Sequence, residues 1–353
     1  MASRKAKAKA VPVGGAARLR FVDHTAPGIT RKPMKRGERI AWAYFDPAGK
    51  RVTDRDEIDR LNRIALPPAY TQAWFATDPD AHLLATGIDA RGRKQYRYHP
   101  AFRSQRESAK FDRCAAFGEA LPAIRARVQA DLACRGVSCE RAIASVVRLL
   151  DGGQIRIGNE AYAKENKSFG ATTLRMRHAV VKRDRLQLRF RAKSGKERTM
   201  TVTDRSLIRF VRTMQDLAGQ HLFQYLDDDG HPVPVTSGQV NDYLRETTGE
   251  DFTAKNFRTW AASAMAYAAL VEANGDLALK PLLALVSERL GNTPAIARKS
   301  YVHPAVLAIA TAPAGERPAL APLPRATRWL SRAERGLLAF LEAQPPAIEL
   351  IAA

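Results

Sequence analysis

Near Phe111 the spacing of the apolar residues changes its period, and few folds accommodate such a change. Upstream, short runs alternate apolar and polar residues and are broken by turn residues. Downstream, apolar residues recur every three or four positions, as in "AFGEALPAIRARVQADLA" and "SCERAIASVVRLLDGGQIRIG". A period of two builds a half-buried strand and a period near 3.6 builds an amphipathic helix, so the two halves call for separate packing solutions. The expected class is α+β, with a small antiparallel sheet domain followed by a larger, mostly helical one.

The upstream part supplies its own punctuation. "RIAWAYFDPAGKRV" reads as strand, Asp-Pro-Ala-Gly turn and strand. "AWFATDPDAHLLATGIDARGRKQYRYHP" repeats that scheme with Asp-Pro-Asp and Asp-Ala-Arg-Gly turns. The sheet domain is placed at residues 28–103, and a charged passage, "RSQRESAKFDR", leads out of it as a hinge or connecting helix, with the linker at 104–112.

The larger domain is placed at 113–311. It is expected to interrupt its helices with three strands, at 174–181, 186–190 and 199–202, the last two joined by "RAKSGKER" as a hairpin. Helices then dominate to about residue 310, with Thr253 as the N-cap of the helix carrying "AKNFRTWAASAMAYAALVEA". A proline-rich linker at 312–328 precedes a final helix and tail, 329–353, opened by Ser331 and Glu334 at capping-box spacing. The start, "MASRKAKAKAVPVGG", has no apolar core of secretory type, and residues 1–27 read as a disordered basic arm.

Charge narrows the partner. Lysine and arginine total 57 against 36 acidic residues, a formal net charge of +21, so the expected partner is a polyanion held through phosphate neutralisation. No run approaches 18 apolar residues, and no membrane span is expected. Cys114, Cys134 and Cys139 form neither a paired metal motif nor a disulfide framework, and the seven histidines lack HxH or HxxxH spacing. No metal or cofactor is expected, and the compartment is expected to be reducing cytoplasm. "DDDG" at 227–230 lacks the rest of a calcium loop and reads as a solvated turn.

Four segments, in order, carry the chemistry: "LLDGGQIRIGNEAY", "FRAKSGKE", "FTAKNFRTW" and "LGNTPAIARKSY". A tyrosine oxygen titrates near pH 10 and is a poor nucleophile unless positive groups surround it. Breaking a DNA strand with one requires donors facing the extra charge on a phosphorane, a proton for the departing sugar oxygen, and in-line attack. Arginine suits the first task because its planar fork grips phosphate and stays ionised. Each residue alone has an ordinary explanation. An arginine at a helix end is usually a surface charge, a turn lysine is usually solvated, and Arg258 on its apolar helix would pack over an aromatic ring. Their joint occurrence carries the weight.

Over residues 28 to 310 the chain resembles the small type IB DNA topoisomerases of bacteria and poxviruses. The resemblance implies that Arg156, Arg258 and Asn292 stabilise the phosphorane, that Lys193 is the general acid, and that Tyr301 is the nucleophile. Lys255 matches a basic residue one helical turn before Arg258. Asn292 stands where poxvirus-type enzymes have histidine and many bacterial relatives have asparagine. Ala192 and Asn256 stand where the family more often has glycine and aspartate. "ATGIDARGRKQYRYHPAFR" resembles the family's DNA-reading strand, which points to Lys94, Gln95, Tyr96 and Tyr98, and Tyr162 matches a position contacting the backbone near the break.

The resemblance further implies a monomer that closes its two domains round duplex DNA as a C-shaped clamp and relaxes supercoils without ATP or metal, in a bacterial nucleoid. His303 is expected to be a supporting or surface histidine rather than a base, and Asp151 to cap or orient an arginine. Two rival readings stand beside this one. A tyrosine recombinase shares the chemistry, but typically shows His-x-x-Arg where this chain has Lys255-Asn-Phe-Arg258. An architectural DNA binder needs no Tyr301 at all.

Overall fold

The computed structural model describes residues 19–36, 39–217 and 219–352. The chain divides into two compact units, Met1–Ala109 and Lys110–Ala353. Among the described residues no helix is long and apolar enough to cross a membrane.

The first unit is built on a five-stranded antiparallel sheet in the order β2-β1-β3-β4-β5: β1 (Ile29–Arg36), β2 (Arg39–Phe45), β3 (Thr71–Phe75), β4 (Leu83–Ile88) and β5 (Lys94–Tyr98). Its core is Ile29, Tyr44, Leu61, Leu66, Ala73, Phe75 and Ala85. The strand expected after the Asp46–Gly49 turn shrinks to one bridge, between Phe45 and Arg51. The chain instead enters α1 (Arg55–Arg63). Asp54 caps that helix by accepting the Asp56 amide, with acids in the first turn and arginines in the last. Of the expected basic arm, residues 1–18 lie outside the described residues. Leu19 is buried, and Arg20 exchanges backbone bonds with Asp80 and His82.

The expected connecting segment is helical. α2 (Pro100–Asp112) starts with proline at its first position, and the His99 ring accepts the Ala101 amide at 3.1 Å. The division between the units falls inside this helix.

In the second unit α3 (Cys114–Ala133), α4 (Cys139–Gly153) and α8 (Ala254–Glu272) pack together around Phe117, Leu121, Val146, Leu150, Phe257 and Trp260. Gly118 admits the Trp260 ring so closely that a β-carbon there would lie 2.2 Å from the indole. Around this core lie α5 (Glu160–Asn166), β6 (Ala179–Lys182), β7 (Arg185–Arg191), β8 (Glu197–Val202), α6 (Arg205–Gln215), β9 (Gln224–Leu226), β10 (Pro232–Pro234) and α7 (Ser237–Thr248). α9 (Leu279–Leu290), α10 (Pro294–Ser300) and α11 (Pro304–Thr311) close the region before the proline-rich segment. Strands β6-β7-β8 form the expected three-stranded antiparallel sheet.

One expectation for this unit is corrected. Residues 174–178 are not strand. Leu174 and Met176 bond to Leu222 and Gln220 across a single antiparallel bridge between Arg175 and His221. The chain then turns through 176–178, where the His178 amide donates to the Arg175 carbonyl and the Arg175 amide to the His178 ring. The stretch in which helices dominate, as expected, also contains the β9–β10 hairpin. Its turn is the "DDDG" run, where Asp227 accepts the Asp229 and His231 amides. Asp227, Asp229 and His231 lie close together there, all exposed.

The final helix is present as α12 (Arg332–Glu342), with the Ser331–Glu334 capping box formed, and a short α13 (Ala347–Ala352) follows it. Glu334 does more than cap. It pairs with Arg125 on α3 at 2.7 Å and accepts the Trp260 indole N–H at 3.1 Å, while Arg125 also holds Asp151 at the end of α4. Asp151 therefore orients an arginine, as expected, and that arginine is Arg125. Burial raises the Glu334 carboxyl, but the Arg125 bonds and charge and the Ser331 donors outweigh it, leaving the pKa below 4.5. A depressed carboxylate contributes stability above its unfolded pKa and loses that contribution as pH falls through the folded value. Glu334→Ala should cost about 3 kcal/mol in urea unfolding at pH 7, because it leaves a buried guanidinium half-paired. The deficit should shrink in acid.

Candidate active site

Arg156 follows α4 through Gln154, which adopts a left-handed conformation (φ +48°) and turns the chain out of the helix. The Arg156 carbonyl accepts the Ala171 amide at 2.8 Å and the Ile157 carbonyl accepts the Thr172 amide at 2.7 Å. Gly170 permits this approach, since a β-carbon there would lie 2.5 Å from the Arg156 oxygen. The Arg156 guanidinium donates to Asn292 Oδ1 at 2.6 Å. That bond fixes the amide orientation, because the flipped form would set two donors against each other. Asn292 is only 9% exposed, and its Nδ2 is left with no hydrogen-bond partner.

Arg258 lies on the first turns of α8 and is 2% exposed. It donates to the carbonyls of Gln154 and Leu290, the latter at 3.0 Å, while its Nε has no partner. Its guanidinium carbon sits 4.8 Å from the centre of the Tyr301 ring. Tyr301 closes α10 and is 8% exposed. Its carbonyl accepts the Ser263 hydroxyl at 3.2 Å, so the backbone of Tyr301 and the side chain of Arg258 are referenced to one helix. Burial pushes the Tyr301 phenol up. The Arg258 charge and hydrogen bond, then Arg156 and Lys255, outweigh that and leave the pKa below 10.0.

The lowered phenol has a direct check. One tyrosine should ionise ahead of the ordinary phenols in an ultraviolet absorbance titration, and this early step should vanish in Tyr301→Phe.

Two further arginines join this group without having been singled out in the sequence. Arg198 on β8 donates to the carbonyls of Gly153, Arg289 and Leu290. Burial first, then the charges of Arg258, Arg289 and Arg156, bring its pKa down to about 10. Arg289 Nε donates to Gln154 Oε1 at 2.9 Å. Among the described residues, no carboxylate forms an ion pair with Arg156, Arg198, Arg258 or Arg289. A groove of about 1260 Å³ runs beside them, lined by Arg156, Lys196, Arg198 and Arg289 among others. One signal did exist for Arg198. It shares the inward face of β8 with Met200 and Val202, a charge where the pattern calls for an apolar residue.

The expected site residues divide into those that meet and those that stand apart. Tyr301, Arg258, Arg156 and Asn292 are linked as described, and Lys255, exposed at the start of α8, acts on the phenol through its charge. Lys193 is exposed at the tip of the β7–β8 hairpin and, among the described residues, makes no hydrogen bond, ion pair or ring contact with any of the four. That tip is held open by Ser194 and Gly195, both left-handed (φ +66° and +75°). Tyr162 is exposed on α5, where its amide is capped by Asn159.

In the first unit, Tyr96 and Tyr98 are exposed and stacked, with ring centres 6.0 Å apart, on edge strand β5. Lys94 is exposed on the same strand. Strand alternation turns Gln95 to the opposite face from the tyrosines, where its amide donates to Asp89 at 2.9 Å.

Two other residues have structural uses. Asn256 closes a capping box with Thr253, accepting its amide at 2.9 Å. His303 is buried, caps α11 by accepting the Ala305 amide, and burial lowers its pKa to about 4. It is therefore a supporting histidine and not a surface one.

A family model described as the eukaryotic DNA topoisomerase I catalytic core matches residues 99–309, more than half of the chain. A second, the bacterial DNA topoisomerase IB N-terminal domain, matches residues 41–89. The DNA topoisomerase 1B of Acanthamoeba polyphaga mimivirus is 31% identical over 293 residues, covering 79% of this chain and 86% of that protein. The chain belongs to the type IB DNA topoisomerases. It is thus a DNA-binding isomerase, with DNA as its substrate.

This type IB topoisomerase is also 27% identical over 180 residues to the DNA topoisomerase 1 of Mycosarcoma maydis, spanning 18% of that longer protein and 46% of its own length. Among solved structures, the XerH site-specific recombinase bound to difH substrate is similar in its pre-cleavage complex at 16% identity, covering 61% of this chain and 56% of that one. Its post-cleavage complex is similar at 13% identity, covering 50% and 46%. Both have a TM-score of 0.32, too low to bear on fold or reaction.

Proposed function

We propose that this topoisomerase relaxes supercoiled DNA through a covalent phosphotyrosyl intermediate formed by Tyr301, with no nucleotide or metal ion. The observation that carries the reading is the Tyr301 ring against a guanidinium that has no carboxylate partner, 4.8 Å from ring centre to Arg258. Positive charge favours the phenolate, and the same charge receives the phosphate it attacks.

The Tyr301 oxygen attacks a backbone phosphorus and forms a 3′-phosphotyrosyl ester, and the bond from phosphorus to the 5′ oxygen breaks. Arg156, Arg258 and the free Nδ2 of Asn292 donate to the non-bridging oxygens of the phosphorane. Lys193 gives its proton to the departing oxygen, because an alkoxide leaves poorly. From its exposed position the hairpin tip has to move to do so. The freed 5′ end swivels about the intact strand, and its hydroxyl attacks back. One ester replaces another of similar energy, so the cycle needs no external driving force.

Lys94, Tyr96, Tyr98 and Tyr162, exposed, and Lys255 are assigned to the DNA duplex. Gln95 takes part once its Asp89 bond opens. Closure of the two units round the duplex by a monomer, and a cytoplasmic, nucleoid-bound setting in a bacterium, complete the proposal.

Supercoiled plasmid incubated with the protein in EDTA and without nucleotide should relax, and denaturant should trap protein on the 3′ end of the break. A requirement for ATP or magnesium, or attachment to the 5′ end, would refute this mechanism. Relaxation that depends on a paired recombination site would favour a recombinase.

A further inference from the structure

We propose that Arg198 is a positioning residue that fastens the base of the Lys193 hairpin to the two backbone segments carrying Arg156 and Asn292. This rests on the reading of Lys193 as the proton donor. The guanidinium donates to Gly153 O at 2.9 Å, to Arg289 O at 3.2 Å and to Leu290 O at 3.4 Å. Gly153 ends α4, three residues before Arg156, and Leu290 ends α9, two residues before Asn292. Arg198 itself belongs to β8, paired across the sheet with Phe190, and the hairpin tip lies between those two partners. One side chain thus joins all three segments that must meet at a single phosphate.

Energetics argue that the charge is there for these bonds. The inward neighbours of Arg198 on β8 are Met200 and Val202, and a similar apolar side chain would fill the position without desolvating a cation. The like charges of Arg156, Arg258 and Arg289 add to that cost. What offsets it is three carbonyls at helix ends, two of which, Gly153 and Arg289, an apolar residue would leave without this donor, while Leu290 keeps Arg258. Three of the five N–H donors of Arg198 are committed to these carbonyls, which assigns it to the framework rather than to the phosphate.

The geometry separates an anchored base from an exposed tip. Lys193 makes no hydrogen bond or ion pair with the cradle among the described residues, whereas five residues along the same hairpin Arg198 is bonded to it. Arg198 therefore sets where the lysine arrives when the tip swings in. Losing that anchor should harm proton delivery more than phosphate binding.

The test uses the full chain, as wild type, Arg198→Met, Arg198→Lys and Lys193→Ala. Single-turnover cleavage is measured on an ordinary duplex and on one whose scissile 5′ oxygen is replaced by sulfur, which leaves without a proton. Arg198→Met should slow cleavage of the oxygen ester about 100-fold, the usual scale for a displaced catalytic group, and the sulfur ester less than about 10-fold. Noncovalent duplex affinity should stay within about threefold, since no phosphate contact is lost. Arg198→Lys, which keeps the charge and reaches fewer carbonyls, should show the same pattern with a smaller loss. It carries the test if the methionine variant melts below the assay temperature.

Equal losses on both esters in the Arg198 variants, with Lys193→Ala rescued by sulfur, would overturn the coupling alone. Full activity in Arg198→Met would also overturn it. Failure of sulfur to rescue Lys193→Ala would instead remove the proton-donor assignment, and the coupling with it.

Discussion

Tyr301→Phe is expected to reduce DNA relaxation by about 10⁴-fold or more, because the proposed mechanism forms its covalent ester through the Tyr301 oxygen. The substitution removes one oxygen and keeps the ring that packs 4.8 Å from Arg258, so the fold has little reason to change. Stability in urea should move by less than about 1 kcal/mol. Duplex affinity should be nearly unchanged, since the cradle arginines and the exposed residues of β5 remain. The decisive measurement is a gel of labelled duplex after denaturant quench, in which wild type shifts a labelled strand into a protein adduct and the variant does not. An adduct in the variant would move the nucleophile elsewhere. Tight binding without an adduct in the wild type would leave a DNA binder and not a breaking–rejoining enzyme.

What the sequence disclosed of this fold followed from local rules. The change of apolar period divided sheet from helix, and Thr253 and Ser331 marked helix starts through bonds that lie within three residues. Where a distant partner decided the outcome, local reading failed. Residues 174–178 pair with distant residues 220–222 through one bridge and then turn at 176–178, so the strand begins only at Ala179. Helix α1 was hidden because the Asp-Pro-Ala-Gly turn announced a hairpin, while Asp54, a few residues on, was already a cap. At the site, Asn256 stands where the family more often has aspartate, and it serves the helix cap. Arg156, Arg258, Asn292 and Tyr301 were legible as a set because their order and spacing match a family. Arg198 was legible only as a charge on the inward face of β8, and its role was not, because its three partners are carbonyls, which leave no trace in a side-chain pattern. The exposed position of Lys193, away from the other four, was equally invisible, since hairpin spacing gives the turn and not where its tip rests.

Arg258→Ala should slow strand cleavage by about 10³-fold, the scale seen when one preorganised donor is removed from a developing anion. Three effects combine in it. The phosphorane loses a guanidinium, the phenol loses the charge and bond that hold its pKa below 10.0, and the Gln154 carbonyl loses its donor while Leu290 keeps only the longer bond from Arg198. The last effect is structural and should cost about 2 kcal/mol in urea unfolding, offset in part because repulsion with Arg156 and Arg198 is relieved. Tyrosine titration separates the other two. If Arg258 activates the phenol, the early-ionising tyrosine should return to the ordinary range in Arg258→Ala, and cleavage should recover partly as pH rises toward 10.0. If the loss lies in holding the phosphate, raising the pH recovers nothing. Arg258→Lys keeps a charge near the ring but replaces the planar fork with a single ammonium. It should therefore restore the early titration while leaving cleavage well below wild type, since the cradle needs both carbonyls and the phosphate served from one side chain. A lysine variant with wild-type cleavage would show that charge alone suffices at this position.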